Sequence, residues 1–312
     1  MKPSPLPPAA PIPVILDTDI GTDIDDTWAL AFLLRCPELD VKLITTASGD
    51  TFERARLVAR LLEVAGRTDI PIGIGVPLEN SPLYQREWVQ DYALADYPGQ
   101  IRPDGLQALA DLLRQSPTPV AVIGIGPLPN LAALLLQAPD VAANARLVGM
   151  FGSLRQGYSG SPEAAAEYNV RLYPHACRAV FAAPWEITMA PLDTCGTVQL
   201  TGAKYQAVRA SPDPLVRAVL ENYACWTKHN QNPLYGGFDP TQESSILFDL
   251  VPIYLAFSEA LVEIERLPIV VSDDGYTRIA SGGPVLRCAT RWKDLEAFED
   301  LVIARLTERP PV

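Results

Sequence analysis

Asp17-Thr18-Asp19-Ile20-Gly21-Thr22-Asp23-Ile24-Asp25-Asp26 follows the apolar run Ile12-Pro13-Val14-Ile15-Leu16 and precedes a second, Trp28-Ala29-Leu30-Ala31-Phe32-Leu33-Leu34. Apolar run, Gly-containing turn and longer apolar run read as strand, loop and helix. Such a loop lies at the carboxyl edge of a parallel sheet, where open α/β sheets bind ligands. It carries five carboxylates, and no Lys or Arg occurs between Lys2 and Arg35. Five such charges at the end of a buried strand repel one another unless protons or a cation neutralise them. A bound metal is the simplest resolution, and oxygen donors without nearby Cys or His select a hard ion, Ca²⁺ or Mg²⁺. The loop is not of the EF-hand type, which needs Gly at its sixth position and Glu at its twelfth; counting from Asp17, those positions hold Thr22 and Trp28.

Working outward, further strand-like runs at Val41–Thr46, Val120–Ile125 and Leu147–Phe151 join Val14–Leu16, and helical patterns such as Phe52–Val64 and Leu106–Arg114 separate them. Strands alternating with helices imply an α/β fold: an open, mostly parallel (mixed) sheet with flanking helices. No Gly/Ser-rich linker, repeat or low-complexity block divides the 312 residues, so residues 14–312 are expected to form one domain. Residues 1–13 hold six prolines and one charge and read as a Pro-rich arm. The prolines interrupt any apolar signal core, and no run of about eighteen apolar residues forms a membrane span.

The aspartate loop resembles the N-terminal signature of the calcium-dependent nucleoside hydrolases, the inosine-uridine preferring type. Its Asp17-Thr18-Asp19-Ile20-Gly21 leads to Asp25-Asp26 across Thr22-Asp23-Ile24, two residues more than the commoner form, which makes Asp23 an extra candidate ligand. Four more segments match in the family's order: Leu43-Ile44-Thr45-Thr46-Ala47-Ser48-Gly49-Asp50, Gly124-Ile125-Gly126-Pro127-Leu128-Pro129-Asn130-Leu131, Ala166-Glu167-Tyr168-Asn169-Val170 and Ser245-Ile246-Leu247-Phe248-Asp249-Leu250. Together they cover the chain from about Val14 to Leu306. The resemblance implies a Rossmann-like nucleoside hydrolase fold and hydrolysis of ribonucleosides to ribose and free base, in purine or pyrimidine nucleoside catabolism. It also implies Ca²⁺ as cofactor and assembly as a homodimer or homotetramer.

By the same resemblance, Asp19, Asp26, Asp249 and the backbone carbonyl of Ile125 are the metal ligands, and Asp19 is also the base that deprotonates the attacking water. Asp25, Asp50, Glu167 and Asn169 are ribose ligands; Glu167 and Asn169, two apart in an extended segment, would share one face. Asp239, in Gly236-Gly237-Phe238-Asp239-Pro240, competes with Asp249 for the returning ligand but reads better as turn chemistry. Relatives often carry a His before that late aspartate to protonate the departing base, and Phe248 stands here instead. Of the two histidines, His175 reads as surface or structural, whereas His229 lies in a polar loop able to close over a base. Trp88, Tyr92, Trp226 and Tyr235 are candidates for stacking on it.

Two other classes are weighed beside the hydrolase: a calcium- and riboside-binding homologue with weak catalysis, favoured by Phe248 and the longer loop, and a haloacid dehalogenase-type phosphatase, suggested by Asp17-Thr18-Asp19 alone. The phosphatase scheme wants Thr or Val where Gly21 stands and has no place for the distal segments. A formal net charge of −12 without clustered Lys and Arg disfavours a nucleic-acid partner. Five scattered cysteines fit reduced thiols in a cytoplasm.

Overall fold

The computed structural model describes residues 10–78, 81–230 and 237–308. Ten strands form its sheet: β1 (Ile12–Thr18), β2 (Leu39–Thr46), β3 (Ile72–Ile74), β4 (Ile101–Arg102), β5 (Val120–Gly124), β6 (Ala145–Met150), β7 (Glu186–Ala190), β8 (Val262–Val271), β9 (Thr277–Ile279) and β10 (Val285–Trp292). Their order is β4-β3-β2-β1-β5-β6-β7-β10-β8-β9. Pairing is parallel from β4 to β10 and antiparallel between β10 and β8 and between β8 and β9. The mostly parallel, mixed sheet expected from the alternating pattern is therefore present. β1 begins at Ile12, inside the stretch read as the Pro-rich arm.

Successive strand residues point to opposite faces, and β1 shows why both must be apolar. Val14 and Leu16 enter one core with Ile44, Ile123 and Val148. Ile15 enters the other with Leu43, Val122 and Leu147. Helices Asp25–Leu33, Thr51–Val64, Pro214–His229, Leu250–Leu255 and Leu295–Thr307 cover the first face. Helices Gly105–Gln115, Pro129–Gln137 and Pro174–Phe181 cover the second.

β1 pairs with β2 on one side and β5 on the other, so the strand order reverses there. The chain leaves β2 toward one edge and enters β5 toward the other, which opens a crevice beyond the carboxyl end of β1. The aspartate loop fills that position, and the turn after β5 (Ile125, Gly126) lies beside it. Ile125 N–H donates to Asp17 O at 2.9 Å.

Candidate active site

The loop after β1 is fixed carbonyl by carbonyl. Arg54, fully buried on the helix Thr51–Val64, donates from Nη1 to Asp19 O and to Ile20 O (2.8 Å), from Nη2 to Thr22 Oγ1 (2.9 Å) and from Nε to Ser48 O (2.7 Å). Gly21 O accepts from Tyr84 N–H (2.9 Å), Thr22 O from the Trp226 indole N–H (3.1 Å), and Asp23 O from Gln85 Nε2. Five consecutive carbonyls thus have named donors, as buried backbone requires. Gly21 has φ +114°, and a Cβ there would meet Leu57 and Leu83 at 2.9 Å. Gly126 lets the turn after β5 approach: a Cβ would lie 2.6 Å from Asp19 Oδ1.

This pinning gathers acidic groups into one pocket lined by Asp19, Thr22, Asp23, Asp25, Asp26, Pro82, Tyr84, Ile125, Met150, Tyr158, Glu167, Tyr168, Asn169, Phe248 and Asp249. One carboxylate oxygen each from Asp25, Asp26 and Asp249 lies within 4.8 Å of the other two, and all three residues are buried. Burial first, then repulsion from neighbouring aspartates (Asp23 and Asp26 on Asp25, Asp25 and Asp26 on Asp249), holds Asp25 and Asp249 well above the ordinary carboxyl range. Asp26 is raised by burial and by Asp19, against the Thr18 hydroxyl that donates to its Oδ1. Asp19 is pushed up to about 6 by burial, with Arg54 pulling the other way. A divalent cation relieves this repulsion, and oxygen donors from carboxylates and the Ile125 carbonyl suit a hard ion. The residues present therefore fit a metal.

Most of the expected site residues meet here. Asp19, Asp26, Ile125 and Asp249 line the pocket together with Asp25, Glu167 and Asn169. The converging trio contains Asp25 where the resemblance put Asp19, which stands beside it. Glu167 and Asn169 come together differently from the extended segment expected. Glu167 caps the helix Tyr168–Leu172, its Oε1 accepting from Asn169 N–H (2.7 Å) and its Oε2 from Gly152 (2.8 Å) and Val170 (3.3 Å) N–H. Asn169 Nδ2 donates to Ile125 O (3.2 Å) and Met150 O (3.1 Å). Burial pushes Glu167 to about 7 despite its backbone donors.

Other candidates stand elsewhere. Asp50 caps the helix Thr51–Val64, its Oδ1 accepting from Glu53 N–H (3.0 Å), with a side chain 51% exposed near Arg86. Trp226 lies buried beneath the loop and tilts against Tyr223 at 6.0 Å, so its face is taken by the core. Trp88 lies under the Arg60 guanidinium, and Tyr92 donates its hydroxyl to Glu63 (2.8 Å). His229 ends the helix Pro214–His229 instead of lying in a loop, and its Nε2 pairs with Glu87 outside the pocket. His175 is exposed. Asp239 is a turn residue, accepting from Thr241 N–H at 2.8 Å. Tyr235 lies outside the described residues. Arg54 stands outside the expected set, yet it occupies the apolar stripe of Leu57, Val58 and Leu61 at helical spacing, which marks a buried cation.

Residues 14–298 match the sequence model of the inosine-uridine preferring nucleoside hydrolases. The chain belongs to this family. A pyrimidine-specific ribonucleoside hydrolase, RihA of Salmonella arizonae, is 32% identical over 316 residues, covering 95% of this chain and 98% of the relative. A non-specific ribonucleoside hydrolase, RihC of Salmonella paratyphi B, is 35% identical over 202 residues, covering 62% of this chain and 64% of its own. Among solved structures, a plant nucleoside hydrolase superposes with TM-score 0.80 at 22% identity, covering 96% of this chain and 100% of that one. Its fold is that of the nucleoside hydrolases, and the phosphatase scheme is set aside.

Two outcomes follow from the site's electrostatics. Arg54→Met leaves buried oxygens unpaired and removes a buried cation, and should destabilise the fold by about 3 kcal/mol or more; an unchanged thermal unfolding profile would contradict the bracing role. A carboxyl whose folded pKa exceeds its unfolded value binds more protons when folded, so stability falls as pH rises between the two values. Asp19 at about 6 and Glu167 at about 7, against ordinary values of about 4, place that window between about pH 4 and 7. The chelator-treated protein should lose melting temperature across it, and a divalent ion should flatten the slope. A melting temperature that climbs with pH under chelation would count against these shifts.

Proposed function

We propose that this chain hydrolyses the N-glycosidic bond of ribonucleosides, releasing ribose and free base, with calcium as its metal. The observation that carries the proposal is the meeting of Asp25, Asp26 and Asp249 in one buried pocket with Asp19, Glu167, Asn169 and the Ile125 carbonyl, within a chain of this family. A calcium ion held by Asp19, Asp26, Asp249 and the Ile125 carbonyl would supply positive charge that orients a water and the sugar hydroxyls and lowers the water's pKa.

Breaking a C1′–N bond passes through an oxocarbenium-like sugar, which a carboxylate-lined pocket stabilises. Asp19 takes the proton of the attacking water. Asp25 accepts the ribose 2′-hydroxyl. Glu167 Oε1 receives a single N–H in the structure, which leaves it lone-pair capacity for another hydroxyl, and Asn169, its amide protons directed at Ile125 and Met150, offers Oδ1. The base lies toward Tyr84, Tyr158 and Phe248, the last two meeting edge to face at 6.1 Å. No histidine is among the described lining residues, so the base departs by stacking on this wall and taking its proton from solvent.

The relatives' names span pyrimidine-specific and non-specific hydrolases, so base preference is a matter for assay. Five free thiols and the family resemblance favour a cytoplasmic homodimer or homotetramer acting in nucleoside catabolism, with a small-molecule nucleoside as partner and neither nucleic acid nor membrane. No helix among the described residues is long and apolar enough to cross a membrane.

Free ribose released from a panel of purine and pyrimidine ribonucleosides and from p-nitrophenyl riboside tests the reading. Release from natural nucleosides that stops on chelation and returns with calcium is expected. Cleavage of the activated riboside alone would mean that the wall does not activate natural bases, and no release from either would overturn the proposal. Asp19→Asn should cut turnover by roughly 10²–10⁴-fold with substrate binding largely kept; near-normal turnover would remove Asp19 as base. Asp249→Ala should weaken calcium binding at least about tenfold, since it removes a carboxylate ligand. Calcium affinity that survived this change but fell in Asp25→Asn would transfer the ligand role to Asp25.

A further inference from the structure

A second depression, lined by Leu83, Tyr84, Arg86, Glu87, Gln90 and His229, shares Tyr84 with the acidic pocket. Cys225 and His229 stand four residues apart on the helix Pro214–His229 and therefore on one of its faces. Glu87, on the short 3-10 helix Arg86–Val89, faces them. The Cys225 sulfur, a His229 ring nitrogen and a Glu87 carboxylate oxygen all lie within 4.8 Å of one another. Zinc bonds of about 2.0–2.3 Å in tetrahedral array separate ligand atoms by roughly 3–4 Å, so little movement would close the trio on an ion.

We propose that Glu87, Cys225 and His229 form a binding site for a borderline divalent cation of the zinc type. The inference is independent of the reaction assigned to the acidic pocket. One sulfur, one imidazole nitrogen and one carboxylate are the donors zinc takes, whereas the pocket beyond β1 offers oxygen alone, so the two sites select different ions. Cys225 is the one cysteine of the five that is not buried, which leaves its sulfur within reach of an incoming ion. On binding, the Cys225 thiol gives its proton to solvent, His229 gives up the Nε2 proton it holds toward Glu87, to solvent or by exchange to Nδ1, so that the Nε2 lone pair meets the ion, and the Glu87 carboxylate coordinates as it stands.

Lys228 Nζ competes for Glu87 at 2.7 Å, but its side chain is 61% exposed, and a surface ion pair of this kind is weak against metal coordination. The ion would tie the 3-10 helix to the end of the long helix. Immediately before the 3-10 helix stand Tyr84, whose carbonyl lies 4.0 Å from Cys225 Sγ, and Gln85, which accepts from Thr27 and Asn222 and donates to Asp23. The site therefore braces a segment that touches both the substrate pocket and the aspartate loop.

Cobalt(II) titrated into the chelator-treated full-length protein tests the site. A thiolate-to-cobalt charge-transfer band in the near ultraviolet, saturating with one cobalt per chain beyond any taken up by the acidic pocket and removed by Zn²⁺, is expected. Cobalt in the acidic pocket gives no such band, because no sulfur of Cys or Met belongs to its proposed ligands. Cys225→Ser should abolish the band, and His229→Ala and Glu87→Gln should each weaken cobalt binding tenfold or more. Absence of the band in the unaltered protein, or its survival in Cys225→Ser, would overturn the proposal.

Discussion

Repulsion among buried carboxylates beyond β1 is the constraint around which this molecule is arranged. Asp19, Asp25, Asp26 and Asp249 are each at most 4% exposed, yet they face one pocket. Charges so placed are tolerated only with protons, a cation or dense hydrogen bonding. The fold spends its hydrogen bonds on the loop's backbone instead. Arg54 inserts a guanidinium beneath the loop without pairing to any of its carboxylates, so their charge stays directed into the pocket. Trp226 and Gln85 hold the next carbonyls from the opposite side. A divalent cation would complete what the protein leaves undone.

The sheet makes that concentration of charge possible. β1 is flanked by parallel neighbours on both sides, and each of its faces enters a separate apolar core. A strand held that firmly can end abruptly in a polar loop without the loop pulling it out of register. Reversal of strand order at β1 draws the turn after β5 and the end of β6 toward the same point, which is how Ile125 and Met150 come to line the pocket beside residues about a hundred positions earlier or more. Asp249 arrives from the other end of the chain, just before the helix Leu250–Leu255 that packs in the core beneath the sheet.

Much of this was legible in the residue order, because its signals are local. The apolar run into Asp17-Thr18-Asp19 announced strand and loop, and the distal matches at Ile125, Glu167, Asn169 and Asp249 named positions that do meet. What the order concealed depends on contacts across the fold. Trp226 and His229 have the composition of a base-binding loop, but one lies in the core and the other closes a helix against Glu87. Asp50 follows a strand at the carboxyl edge, yet its carboxylate is engaged by the helix it caps. Arg54 carried a signal, a charge on an apolar helical stripe, that gains meaning only once the loop is seen wrapped around it. The tyrosines Tyr84, Tyr158 and Tyr168 gave no periodic signal, since they come from a turn, a three-residue 3-10 helix and the first position of a five-residue helix.

The central claim is that one hard divalent ion neutralises the cluster, and calorimetric titration of calcium into chelator-treated protein tests it most directly. Repeating the titration near pH 6 in buffers of different ionisation enthalpy counts the protons set free. The account predicts one ion per chain with net proton release that diminishes toward pH 8, because the cation displaces protons shared among the buried aspartates. No binding, or binding without proton release near pH 6, would contradict it.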